Sequence, residues 1–226
     1  MSTPIAAVQQ TYPAPNRNQF AAEGSYILAT NPTVSTGQVW VAAQTAFSDT
    51  APNFWIHNNE PANGRTLYLD YLKLISTAVG TAAVSWQYAV IIDPVPRTVT
   101  TNHLLAITPV CTASSYSLVA TPTINVQSSA TATALSASSA SSKLVGRGCL
   151  GGVNIAGHVY GILFGDCSAG VTAVGSTDTA AAPGRSFDFS GPVGINPGQD
   201  CTIYIWGPSS SASLAPEFEL GMVARP

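Results

Sequence analysis

The chain is short of charge. Of 226 residues only 8 are Lys or Arg and 11 are Asp or Glu, together 8%, where a soluble globular domain carries about 25%. Two lysines, Lys73 and Lys143, serve the whole length. Ser and Thr fill the gap at about a fifth of the sequence. Charged side chains keep diffusing proteins apart. Short hydroxyl side chains lose little rotamer entropy on ordering, so they suit surfaces that become buried against a partner. The few basic residues are scattered from Arg17 to Arg225 and the formal net charge is −3. A phosphate backbone needs a dense basic stripe, so no nucleic acid partner is expected.

Other absences narrow the field. Met1–Gln10 has no basic stretch and no apolar run of signal length, so no secretion signal is expected. No apolar run approaches the roughly 18 residues of a membrane span. The chain is expected to stay where it is made unless assembly or lysis carries it out. Cys111, Cys149, Cys167 and Cys201 form no C-x-x-C pair, and four reduced, buried thiols are expected. Cys149, His158 and Cys167 come nearest to a metal-donor set, but their nine-residue gaps match no common zinc module. His57, His103 and His158 are isolated, and no nucleophile elbow or phosphate-cradling glycine loop occurs. Glu217 and Glu219 are the only close carboxylate pair on one strand face. Their alternation with Phe218 and Leu220 reads as a solvated face rather than a glycosidase pair. No cofactor, no metal and no enzymatic activity are expected.

What is present has a period of two. Val84, Trp86, Tyr88, Val90 and Ile92 alternate with smaller or polar residues up to Asp93-Pro-Val-Pro96, the pattern of a half-buried strand. Arg65–Ile75 places Leu67, Leu69 and Tyr71 on one face and Leu72 and Leu74 on the other, which predicts a bulge near Tyr71. Asn63-Gly64 signals a tight turn before it. Further strands are expected at Tyr26–Thr30, Gln38–Phe47, Phe54–Asn58, Leu104–Val110, Tyr116–Val119, Ile155–Phe164, Cys201–Trp206 and Glu217–Val223, with a turn at Asn196-Pro-Gly-Gln199. Glycines in Gly146–Gly152 read as bulges or close backbone approaches. Most aspartates fall at turns, where Asp bonds locally.

These spacings predict an all-β chain: one β-sandwich or jelly-roll-like domain over residues 25–226, with an extended N-terminal arm over 1–24. The arm carries Pro13, Pro15 and Arg17 and is expected either to fray, as termini commonly do, or to order on a neighbour. Ser128–Ser142 is low in complexity with one large apolar residue, Leu135. It reads as a long exposed excursion, or as small-residue strands packed closely on another subunit. Among the aromatics, Trp86 and Trp206 read as core or inter-subunit packing. Trp55 has polar neighbours, so Asn53, Trp55, His57, Asn58 and Asn59 form the candidate partner-binding cluster.

Asn63-Gly-Arg-Thr-Leu-Tyr-Leu-Asp-Tyr-Leu-Lys-Leu-Ile75 with the strand Thr81–Asp93 resembles segments of tailed-bacteriophage head proteins. So do Ser142-Lys-Leu-Val-Gly-Arg-Gly148 and the closing Asn196-Pro-Gly-Gln strand. The likeness extends over most of residues 25–224 and is nearest to the decoration or cement proteins of the capsid surface. It implies a virion structural protein, a homotrimer at local three-fold positions that binds between subunits of the major capsid protein. It transfers no catalytic residues, and the chain is less acidic than many such proteins. The alternative function is a carbohydrate- or receptor-binding β module that holds a glycan at Trp55.

Overall fold

A computed structural model describes residues 25–31, 46–77, 83–100, 104–111, 121–127, 134–153, 158–165, 185–207 and 216–225. The expected arm, the strands at Gln38–Phe47 and Tyr116–Val119, and Trp40 lie outside these residues, except for the short stretch Ala46–Phe47.

Thirteen strands follow one another with no helix among the described residues. They are β1 (Tyr26–Thr30), β2 (Phe54–His57), β3 (Thr66–Ser76), β4 (Ala83–Asp93), β5 (Leu104–Ile107), β6 (Val110–Cys111) and β7 (Thr123–Gln127). Then come β8 (Lys143–Val153), β9 (Val159–Phe164), β10 (Arg185–Ser190), β11 (Gly194–Ile195), β12 (Asp200–Trp206) and β13 (Pro216–Arg225). One sheet runs β10-β9-β3-β13-β1-β6, with β11 also on β3, and the other runs β5-β7-β2-β12-β4-β8. All pairings are antiparallel except β9 with β10. Eight strands give the frame: β1-β13-β3-β9 faces β2-β12-β4-β8, and the chain changes sheet at every step except the β4–β8 pair. That is jelly-roll connectivity. The connection from β4 to β8 adds β7 beside β2 with β5 beyond it at the edge, and β6 at the edge beside β1, and that from β9 to β12 adds β10 and β11.

Alternation builds the core between the sheets. Phe54, Ile56, Ile203 and Ile205 point inward from the second sheet, and Leu67, Leu72, Phe218 and Leu220 from the first. Phe54 meets Phe218 edge-on, with centroids 5.2 Å apart. Each such side chain contributes about 1.5–3 kcal/mol of burial. The expected bulge is present in β3. Tyr71 opposes Gly221 and Leu69 opposes Met222, which leaves Asp70 unopposed. The extra residue lets Leu67, Leu69, Leu72 and Leu74 all face the core. It also turns Tyr71 outward, away from the face its spacing suggested. A second bulge in β8 leaves Val145 unopposed, since Val90 faces Gly146 and Ile91 faces Leu144. Both signalled turns close: Gly64 N–H donates to Pro61 O (2.6 Å), and Gln199 N–H to Asn196 O (3.0 Å). Gly198 has φ +75°, the value a type II turn asks of its third residue.

At the open side of the sandwich, β10 crosses β8. Glycines allow the approach: a Cβ at Gly148 would lie 2.0 Å from Asp188 Oδ2, and one at Gly146 2.0 Å from Ser190 Oγ. Asp188 accepts from Cys149 N–H at 2.8 Å, binding the edge of one sheet to the other.

Candidate functional site

The Trp55 cluster is taken up largely by the fold. Phe54 and Ile56 face the core, so Trp55 and His57 share the outward face of β2, their rings stacked with centroids 6.3 Å apart. That face is covered: Trp55 is 9% exposed. Asn53 is buried and its Oδ1 accepts from Ile205 N–H at 2.6 Å. Buried Asn58 donates from Nδ2 to Arg65 O and Ile195 O, each at 2.8 Å, and accepts from Glu60 N–H. His57 Nδ1 contacts the buried Asp200 Oδ1 at 2.5 Å. Only Asn59 is exposed, and its Nδ2 donates to Thr121 O (2.9 Å) and Thr123 Oγ1 (2.7 Å). Pro13, Pro15 and Arg17 lie outside the described residues.

Much of the outer face of this sheet is covered by two segments, 94–100 and 134–142, which form a strap. Val99 bridges Leu135. Thr100 N–H donates to Ala134 O and Ser136 N–H to Thr98 O, both at 2.8 Å. The described part of the low-complexity stretch, residues 134–142, is therefore not a free excursion: it packs on its own domain, with Ala137, Ala140 and Ser141 exposed. Leu135, 1% exposed, is the anchor that its composition understated.

The strap is fixed by buried charge. Arg97 is 4% exposed. It donates from Nε to Ser136 O (2.8 Å), from Nη1 to Tyr204 Oη (2.6 Å) and from Nη2 to Asp49 O (2.6 Å) and Ser136 O. Its backbone N–H donates to Asp200 Oδ2 at 2.5 Å, and Asp49 Oδ2 lies 3.7 Å from Nη2. Asp49 accepts from Ser138 N–H, and Asp93 from Ser139 N–H and Oγ–H. Burial alone would raise the Asp93 carboxyl, but the bonds from Ser139 and Val95 and the charge of Arg97 hold it below its ordinary value. Burial pushes the Tyr204 phenol up to about 12, against the pull of its Thr202 and Arg97 contacts. These aspartates were expected to serve local turns. Asp93 does bond Val95 N–H, but their main work is long-range.

What remains open lies beside the strap. Gln87, Ala89 and Ile91 of β4 floor a groove of about 620 Å³, walled by Phe47 and Trp206 on one side and Leu144, Arg147 and Cys149 of β8 on the other. Phe47 packs on Tyr204 and edge-on against Trp206, with centroids 4.8 and 5.7 Å away. Phe47 and Leu144 are 44% and 56% exposed, large values for apolar side chains of this size. No protein-family model, curated protein or solved structure matches the chain.

Sequence periodicity could not reveal this groove. Strict alternation sends Leu144 and Arg147 to opposite faces of β8, and the bulge at Val145 brings them to the same one. The thiols also divide. Cys201 is buried, and burial with the neighbouring Asp200 pushes its thiol well above the ordinary range. Cys149 is exposed, contrary to the expected buried thiol, because it takes an outward position of β8 on the groove wall. His158 is buried in the other sheet, Cys167 lies outside the described residues, and no metal-donor group of three occurs among the described residues.

Proposed function

We propose that the protein is a non-catalytic structural subunit of a virion: a capsid decoration or cement protein that binds between subunits of the major capsid protein and associates with copies of itself, as a homotrimer. The observation that carries this reading is a jelly-roll domain in a chain with only 8% charged residues that leaves an apolar groove open on one sheet face. Jelly rolls serve as capsid modules and as lectins, so the fold admits both readings, and features of the surface favour the first. Of the charged groups at the outer sheet face, Arg97, Asp49, Asp93 and Asp200 are engaged in holding the strap, which leaves them unsuited to acid–base work on a ligand, and the exposed Arg147 has no carboxylate among the described groove residues. The glycan alternative needs free amides beside an accessible indole. The amides of Asn53 and Asn58 are bound to backbone and Trp55 is covered.

Light scattering on the purified protein tests the self-association. A mass of three chains that holds on dilution is expected, and a monomer that stays soluble at high concentration would contradict it.

A further inference from the structure

Arg147 is exposed and, among the described residues, is the one charged side chain on the wall of the Phe47–Leu144 groove, where no described carboxylate lies. The same side chain lines a second, more polar hollow of about 330 Å³ next to the groove, with Gly146, Ser190 and Gly191. Ser190 is 7% exposed and its Oγ is buried with no hydrogen-bond partner among the described residues, a state that costs free energy unless something bonds to it. A guanidinium between an apolar groove and an unsatisfied hydroxyl matches an occupant with a carboxylate next to an apolar side chain.

We propose that this face of β8 is a docking site for an extended segment of another protein that presents a Leu- or Phe-like side chain beside an Asp or Glu. The apolar side chain fills the groove over Ala89 and Ile91, and the carboxylate pairs with Arg147 within reach of Ser190. A polyhydroxylated ligand fits less well, because Ala89, Ile91 and Leu144 would leave its hydroxyls unsatisfied, and Phe47 and Trp206 meet edge-on instead of offering a flat platform. The described residues of a second copy offer no such segment: none of their carboxylates is in the exposed class, and Asp70, Asp188 and Glu219 are engaged by Tyr26, Cys149 and Lys73. The inference rests on the proposed function only in naming the partner, which is then the capsid subunit.

The test uses short peptides in which Leu or Phe alternates with Glu, titrated into the full-length protein and followed by backbone amide NMR shifts. Saturable shifts confined to residues 87–91 and 144–149 are expected. Arg147→Gln should weaken binding at least about tenfold, the scale of one charge-assisted contact, and Leu144→Ser should weaken it as well. Both positions are exposed, so the variants are expected to fold as the wild type does. Absence of saturable shifts, equal binding of peptides with Lys in place of Glu, or indifference to Arg147→Gln would overturn the proposal. Peptide binding with no binding to capsid shells would remove the virion reading and leave the groove assignment standing.

Discussion

Arg97 is the side chain on which the outer face of the second sheet depends. It is buried and satisfied by Asp49, Ser136 and Tyr204. Arg97→Ala would leave the Ser136 carbonyl and the Tyr204 phenol oxygen without their donor, Asp49 O with the Tyr204 hydroxyl alone, and Asp49 without its counter-charge. A loss of about 3–5 kcal/mol is expected, the range for breaking a buried charged network, and a urea denaturation curve measures it. Asp93 gives the same network a pH dependence. Its folded pKa lies below the ordinary value, so its contribution is complete above roughly pH 4. It fades as pH falls through the lowered folded value. Stability measured from pH 7 to pH 3 should drop in that window, and Asp93→Asn should flatten the drop. At this scale the sequence was partly legible. Leu67, Phe54 and Ile203 take the inward positions that alternation gives them. The roles of Asp93, Arg97 and Asp200 were hidden, because their partners lie as many as 143 residues away.

Strands with large alternating side chains were legible as elements, and β3 with its bulge is the clearest case. The glycine-rich β8 was not, since Gly weakens the strand signal and serves here to admit β10. Gly148→Ala would place a methyl 2.0 Å from Asp188 Oδ2 and 2.6 Å from the Tyr88 ring. A loss of about 1–3 kcal/mol is expected from the overpacking. Gly191 has nothing within 4 Å, so Gly191→Ala is the control. Its expected change is within about 0.5 kcal/mol, as for surface substitutions clear of special contacts. Thermal melts of the pair would separate close approach from a general glycine effect. The strap eluded composition for another reason: a single leucine is its apolar anchor, and bonds to Arg97, Asp49 and Asp93 do the rest. Leu135→Ala should cost about 2–5 kcal/mol and speed protease cleavage within residues 134–142, which limited proteolysis with mass spectrometry would show.

The whole molecule was legible as a class before it was legible as a surface. Turn spacing and alternation indicated an all-β sandwich, and the sheet orders bear that out. The groove depends on a register shift in one strand, and no periodic pattern encodes where such a shift falls. Low charge remains the property that reaches furthest toward function. It predicts a protein whose assemblies are held by apolar and hydroxyl contacts, and so are little weakened by salt. Raising salt from 0.1 to 1 M should leave the oligomer mass by light scattering unchanged, and dissociation would point to ionic contacts instead.

The most direct test of the structural-subunit reading is a titration onto empty shells assembled from the major capsid protein of the same virus, read by co-sedimentation. Saturation at a fixed number of chains per shell, at a whole multiple of three and with greater shell resistance to heat, is the predicted result. Protein that stays in the supernatant at every concentration would contradict it.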